Sequence, residues 1–200
     1  IWFIRANILN GPVLPAGSVD ATVTVALTHE ILSYGSGRPD VEAFARNVAL
    51  QTRHGGIWIN SDVLGPDRPD ELVVLRVRTD DGGSLAAPWT DLDEISRPEV
   101  AERLGTLSTA GRLVQFGHDF PRLSGATFAP VPRPDLDTAE ASAWQLTRRE
   151  AMEFVAAKDY LQNWLSECHE QFCALDWQAW TTILTDAGFT LVDANAPRVL

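Results

Sequence analysis

A strand, helix, strand pattern in the first third of the chain places the strongest constraint on its fold. Val19 to Leu27 is nearly continuous in apolar character and rich in valine and threonine, which is typical of a parallel strand covered on both faces. Asp40 to Gln51 carries apolar side chains at helical spacing, and His54-Gly55-Gly56 follows as a glycine stop. Ile57 to Ile59 then resumes a strand. This order indicates a right-handed crossover within a parallel sheet.

Composition narrows the class of protein. A length of 200 residues with 45% hydrophobic content suits one domain of ordinary size. No apolar stretch approaches the ~20 residues that a membrane span requires. The formal net charge is -11 and Lys158 is the only lysine among 16 basic residues, which argues against a broad phosphate-binding surface. We therefore expect a small-molecule or protein partner, no nucleic acid and no membrane.

The two cysteines, Cys168 and Cys173, give no sign of a disulfide or a metal site. Five residues apart, they would lie on nearly opposite sides of one predicted helix. A reducing compartment is the simplest setting for such thiols, so a cytoplasmic location is expected.

The pattern loosens beyond the second strand, and the stretch from Asp67 to Ala143 contains most of the prolines. We expect this stretch to be an insertion that covers the carboxyl edge of the sheet, with a strand at Leu72 to Arg78 and a short helix at Arg97 to Leu107. Ile1 to Ile4 is predicted to be a short buried strand that comes before the whole pattern. The apolar anchors of the insertion would be Trp89, Phe116, Phe120 and Phe128.

A long helix is predicted from Thr147 to Phe172, because Thr147 and Glu150 have the spacing of a capping box. Asp176 to Ala187 predicts a further helix, and Phe189 to Val192 a final strand. The predicted division of the chain is a core at 1–66, the insertion at 67–143, and the long helix with a closing helix-strand unit at 144–200.

Several segments resemble motifs of the class I S-adenosylmethionine-dependent methyltransferases, in the order in which that family has them. They are Phe3-Ile4-Arg5-Ala6-Asn7-Ile8-Leu9, Pro15-Ala16-Gly17-Ser18-Val19-Asp20, Leu27-Thr28-His29-Glu30-Ile31, Arg53-His54-Gly55-Gly56 and Asp186-Ala187-Gly188-Phe189. The resemblance implies an α/β fold: a doubly wound, mostly parallel sheet, the Rossmann-like methyltransferase core. Its N-terminal strands would be absent from this chain, and the large insertion would follow the third visible strand.

The resemblance also implies an activity, which is methyl transfer from S-adenosylmethionine to an oxygen or nitrogen of a small-molecule or protein acceptor. Asn7, Ile8 and Thr28 would contact the cofactor, with Asn7 in the place of the family's usual aspartate. The family's glycine-rich turn and ribose-binding acid do not occur in this chain. By the family's layout, a missing N-terminal segment or a companion domain would supply them.

Polar side chains follow the two parallel strands at the edge where ligands of open α/β sheets bind. Methyl transfer to a poor nucleophile requires a base that takes its proton. His29 is the first candidate, with Asp62 or Glu30 orienting or replacing it. The alternative is structural: His29 and Glu30 would cap the following helix, and Asp62 would close a turn.

A second group of candidates belongs to the insertion and the long helix. Tyr160, Trp164 and His118 are predicted to contact the substrate. The alternative is that the helix has a solvated polar face beside a packed aromatic stripe, and that His118 is simply exposed.

Two other functions remain open. One is an inactive, methyltransferase-like binding or assembly module, which Asn7 and the missing glycine-rich turn favour. The other is a nucleotide-dependent oxidoreductase, because a fold does not fix chemistry.

Overall fold

The computed structural model describes residues 1, 3–84 and 91–192. The chain forms two compact units, one made of Ile1–Leu64 and Leu175–Leu200, the other of Gly65–Ala174. In chain order the elements are β1 (Val19–Val25), α1 (Thr28–Tyr34), α2 (Arg38–Gln51), β2 (Thr52–Ser61), β3 (Leu72–Arg78), α3 (Arg97–Gly105), α4 (Thr109–Ser124), β4 (Val131–Pro132), β5 (Ala141–Thr147), α5 (Arg148–Ala157), α6 (Trp164–His169) and α7 (Trp177–Asp186). Short 3-10 turns lie at Ile8–Asn10, Pro134–Leu136 and Leu161–Asn163. No helix in the described ranges is long and apolar enough to cross a membrane.

The first unit is built on β1 and β2, which pair in parallel and are connected through α1 and α2. The predicted strand, helix, strand order is therefore confirmed. Helix α2 buries Phe44, whose ring meets that of Trp58 edge to face at 5.7 Å. On the opposite face of the sheet, four aliphatic side chains are more than half exposed, namely Val23, Val25, Ile57 and Ile59.

The predicted doubly wound, mostly parallel sheet is wrong. The structure has one parallel sheet of two strands and a separate antiparallel sheet of three, in the order β3, β5, β4. The parallel sheet is smaller than predicted because the end segments do not join it. Ile1 and Phe3 are almost fully exposed, and Trp2 of that predicted strand lies outside the described residues. Residues 189–192 are not a strand either; Phe189 packs its ring against Trp58 at 5.5 Å.

The second unit holds the larger hydrophobic core. The strand predicted at Leu72 to Arg78 is confirmed as β3, and it pairs along its whole length with β5. The helix predicted to begin at Arg97 is confirmed as α3. Three of the predicted aromatic anchors, Phe116, Phe120 and Phe128, are buried in this core, while Trp89 lies outside the described residues.

The long helix predicted from Thr147 to Phe172 is wrong in length, because it is divided into α5, a 3-10 turn and α6. Its start is confirmed, since Thr147 and Glu150 form both bonds of the capping box. Near the break, Arg112 donates to the carbonyl oxygen of Lys158 at 3.2 Å. In a continuous helix, the carbonyl oxygen of Lys158 would accept from the backbone N–H four residues later. Here it accepts from the Arg112 side chain.

Both cysteines are free thiols, and both are buried in the second unit. Burial raises the pKa of Cys168 and of Cys173 well above the value of an exposed thiol. Neither thiol is therefore ionised near neutral pH.

A fully buried carboxylate, Asp119, ties α4 to α6. Its Oδ2 accepts from Gln115 Nε2 at 2.9 Å and from Trp164 Nε1 at 2.8 Å. Its Oδ1 lies 2.9 Å from His118 Nδ1. A buried carboxyl group without hydrogen-bond partners would cost free energy, so the indole N–H of Trp164 is part of what stabilises the unit.

Replacing Trp164 by Phe keeps most of the ring but removes a donor to the buried Asp119. We expect Trp164→Phe to lower the free energy of unfolding by about 1–3 kcal/mol more than the matched Trp144→Phe. In Trp144→Phe the lost partner is the Ser142 hydroxyl of a half-buried pair, which water can replace. Urea denaturation of both variants measures the difference. An equal loss of unfolding free energy in the two variants would show that the Trp164–Asp119 hydrogen bond adds nothing to the effect of the smaller ring.

Candidate active site

The carboxyl ends of β1 and β2 bring together the two halves of a polar cluster. Val25 is in register with Ser61, so both strands end at the same edge of the sheet. Asp62 directly follows β2, and α1 begins with Thr28 and His29 shortly after β1. This connectivity places the Asp62 carboxylate at the first residues of α1.

Asp62 accepts hydrogen bonds from both main chain and side chains. Its Oδ2 accepts from Thr28 N at 2.7 Å, from Thr28 Oγ1 at 2.6 Å and from His29 N at 3.1 Å. Its Oδ1 accepts from Val63 N at 2.8 Å. These donors fix the position of the carboxylate and favour its ionised form.

His29 completes the cluster, because its Nδ1 lies 2.5 Å from Asp62 Oδ1. The exposed fraction of the two side chains is 9% for His29 and 3% for Asp62. Since an ionised carboxylate can only accept, Nδ1 must carry the hydrogen. In a neutral ring, the lone pair that takes up a proton is then on Nε2.

Opposing effects act on the pKa of Asp62. Burial by itself would raise this pKa. Hydrogen bonds from His29 and Thr28, the charge of His29 and the amide of Val63 together lower it by more than burial raises it. The net result holds the pKa well below the usual range of an aspartate. Asp62 is therefore an anion across the whole physiological pH range.

A directional series of hydrogen bonds runs across the covered face of the sheet to this carboxylate. Trp58 Nε1 donates to Thr24 Oγ1 at 2.9 Å, and Thr24 Oγ1 donates to Asn60 Oδ1 at 2.7 Å. Asn60 Nδ2 lies 3.4 Å from Thr28 Oγ1, which in turn donates to Asp62. Such connected bonds polarise one another and hold each member in one rotamer.

The structure brings together three of the residues predicted for the site: His29, Asp62 and Thr28. Glu30 is exposed in the first turn of α1. The Thr28 side chain is buried and its hydroxyl is bonded to Asp62, so in this fold it holds the carboxylate; its cofactor contact stays a prediction.

The other two residues predicted for the cofactor, Asn7 and Ile8, lie at a 3-10 turn. Asn7 is exposed, and its Oδ1 caps the turn by accepting from Leu9 N at 3.0 Å. Ile8 is half-buried, and its carbonyl oxygen accepts from Asn47 Nδ2 at 3.1 Å.

The predicted substrate residues all belong to the second unit. Trp164 is fully buried, so in this fold it is a core residue. Tyr160 is 56% exposed. The His118 side chain is mostly buried and paired with Asp119. Substrate contact by Tyr160 and His118 stays a prediction.

Sequence reasoning missed the roles of Thr24 and Trp58. The signal was present: Thr24 and Asn60 are polar residues at facing register positions of two strands that are otherwise rich in valine and isoleucine. Among the described residues, no group of three or more His, Cys, Asp or Glu is placed to hold a metal ion.

No protein-family model, curated protein or solved structure matches this chain. The methyltransferase resemblance therefore stays a prediction carried by its motifs, and function has to be argued from the geometry of the site.

Replacing Asp62 by Asn should destabilise the first unit more at neutral pH than in acid. The native pKa of Asp62 is depressed, so its stabilisation is fully present above the unfolded pKa of about 3.9 and is lost as pH falls toward the native pKa. We expect Asp62→Asn to cost about 3–5 kcal/mol at pH 7, with the cost shrinking at pH 3.

Urea unfolding followed through the NMR signals of β1 and β2 amides measures this cost at both pH values. The matched control is Asp20→Asn, which removes an exposed ion pair with Arg53 and should change stability by less than about 1 kcal/mol. A cost for Asp62→Asn that is equal at pH 7 and pH 3 would contradict the assignment.

Proposed function

We propose that the first unit supplies the acceptor-activating base of an S-adenosylmethionine-dependent methyl transfer to an oxygen or nitrogen of a small-molecule or protein acceptor. The observation that carries the proposal is the His29–Asp62 pair, buried at the shared carboxyl end of two parallel strands. That edge is where open α/β sheets bind their ligands.

His29 has the features required of a general base. Asp62 fixes the ring through Nδ1 and stabilises the positive charge that develops when Nε2 is protonated. Five hydrogen bonds around Asp62, from Thr28 N, Thr28 Oγ1, His29 N, Val63 N and His29 Nδ1, keep the carboxylate from rotating. Asn60 holds the Thr28 hydroxyl in turn, so it is a positioning residue for the base.

Bound S-adenosylmethionine supplies a methyl group on a positively charged sulfur. When the acceptor oxygen or nitrogen takes up that methyl group, His29 Nε2 would hold the acceptor's proton and would later release it to water, so that the charge balances.

The residues at the 3-10 turn fit the adenine part of this cofactor. Asn7 uses Oδ1 within the turn, and its exposed Nδ2 can donate to a ring nitrogen of adenine. The half-buried Ile8 offers an aliphatic surface for the ring. Both free cysteines are compatible with a reducing compartment, so we place the activity in the cytoplasm.

Replacing His29 by Gln should leave cofactor binding intact and slow the transfer. With the glycine-rich turn and the ribose-binding acid supplied by a longer form of the chain or by a companion domain, we expect the wild-type protein to bind S-adenosylmethionine in calorimetry. We expect His29→Gln to bind it equally but to transfer labelled methyl groups about 10²–10⁴ times more slowly. The assay offers small hydroxyl and amine acceptors in parallel.

The matched control is His54→Gln, which changes an exposed histidine of β2 and should alter neither quantity. Transfer by His29→Gln at the wild-type rate would remove His29 from the reaction. If the wild-type protein does not bind the cofactor when the glycine-rich turn and the ribose-binding acid are supplied, the inactive-module alternative is favoured, with the pair serving stability alone.

A further inference from the structure

A cavity of about 460 Å³ lies within the second unit, whereas the His29–Asp62 pair belongs to the first. It opens between the first two turns of α5 and the loop after α4, and Phe120 and Ala126 form part of its apolar lining. Its volume falls in the range of small-molecule sites, about 300–1,000 Å³. Its remaining lining is mostly polar.

Two buried carboxylates fix the shape of this cavity. Glu150 Oε1 accepts from Ala129 N at 2.7 Å, next to the loop that forms one wall. Glu153 accepts from Phe172 N and Cys173 N, both at 2.9 Å, and so holds the segment of the opposite wall. Both carboxylates are less than 9% exposed. The walls are therefore held by hydrogen bonds within the protein and are formed before any ligand arrives.

Arg149 lines the same cavity from the first turn of α5. Its Nε is buried and has no hydrogen-bond acceptor among the described residues. The neighbouring Arg148, by contrast, pairs with Glu71 and does not line the cavity. Buried donors in native proteins are nearly always paired, so the unpaired Nε shows that the protein does not satisfy every donor of this guanidinium, and a ligand in the cavity can complete the set.

The charges around the cavity restrict what that ligand can be. Three carboxylates, of Asp70, Glu150 and Glu153, line it together with the single guanidinium of Arg149. A simple anion would be repelled by the carboxylates, and a simple cation would be repelled by the Arg149 guanidinium and would leave its Nε without an acceptor. A small molecule that carries both a carboxylate and an ammonium group matches both signs.

We propose that this cavity binds a free α-amino acid with a small, uncharged side chain. Arg149 binds its carboxylate, and Asp70 and Glu150 face its ammonium group. The apolar surface of Phe120 and Ala126 receives the side chain. This site is separate from methyl transfer, and it stands or falls independently of the role of His29.

Three probes test the proposal with the full chain: L-alanine, propionate and ethylamine. The second is alanine without its ammonium group, and the third is alanine without its carboxylate. We expect L-alanine to bind in calorimetry and to shift the Nε–H NMR signal of Arg149 in protein labelled with ¹⁵N-arginine. Propionate and ethylamine should each bind at least about tenfold more weakly, which is the loss of one charge-assisted hydrogen bond.

Variants at two adjacent arginines separate ligand binding from folding. Arg149→Gln should weaken L-alanine binding at least about tenfold, whereas Arg148→Gln, in the same helical turn but outside the cavity, should change it less than about twofold. If Arg149→Gln does not fold, Arg149→Lys keeps the charge and a good helix former but loses the planar pair of donors, and it should also weaken binding.

Three results would overturn the proposal. The first is no heat and no shift of the Arg149 signal with millimolar L-alanine. The second is propionate or ethylamine binding as tightly as L-alanine, since the cavity would then recognise a single charge. The third is L-alanine binding that is unchanged in a folded Arg149 variant.

Discussion

The carboxylate of Asp62 accepts hydrogen bonds from the backbone amides of Thr28 and His29, and this contact joins the end of β2 to the start of α1. The same interaction recurs in the second unit, where Glu150 and Glu153 accept backbone amides from segments about twenty residues away. Carboxylates of this kind orient the segments that they bind. The chain has more acidic than basic residues, and at these three positions backbone amides serve as donors to the carboxylates.

Local signals in the sequence predicted local structure well. The helix at Arg38–Gln51, the strand at Leu72–Arg78 and the cap at Thr147 each depend on residues within a few positions of one another. Which strands join which sheet could not be predicted in the same way. An apolar run indicates a tendency to be buried, but it does not show which strand the segment pairs with. Val23 and Val25 predicted a strand covered on both faces, and the structure leaves both side chains more than half exposed.

The candidate site shows the same division. His29 and Asp62 were identifiable because the residues after parallel strands meet at one edge of a sheet. The role of Thr28 could not be identified in this way, because a threonine at the start of a helix can either contact a ligand or donate to a neighbouring carboxylate. The role of Arg149 depends on a three-dimensional relation, namely which buried donor has no acceptor, and no sequence pattern records this.

The placement of the cysteines gives the two units different chemical reactivity. Both thiols of the chain, Cys168 and Cys173, are in the core of the second unit, where burial also keeps them protonated. Alkylation or oxidation requires a thiolate that reagents can reach, so it has to wait for this core to open locally. The rate of thiol modification therefore reports the local opening of the second unit. It carries no information about the first unit, which holds His29 and Asp62.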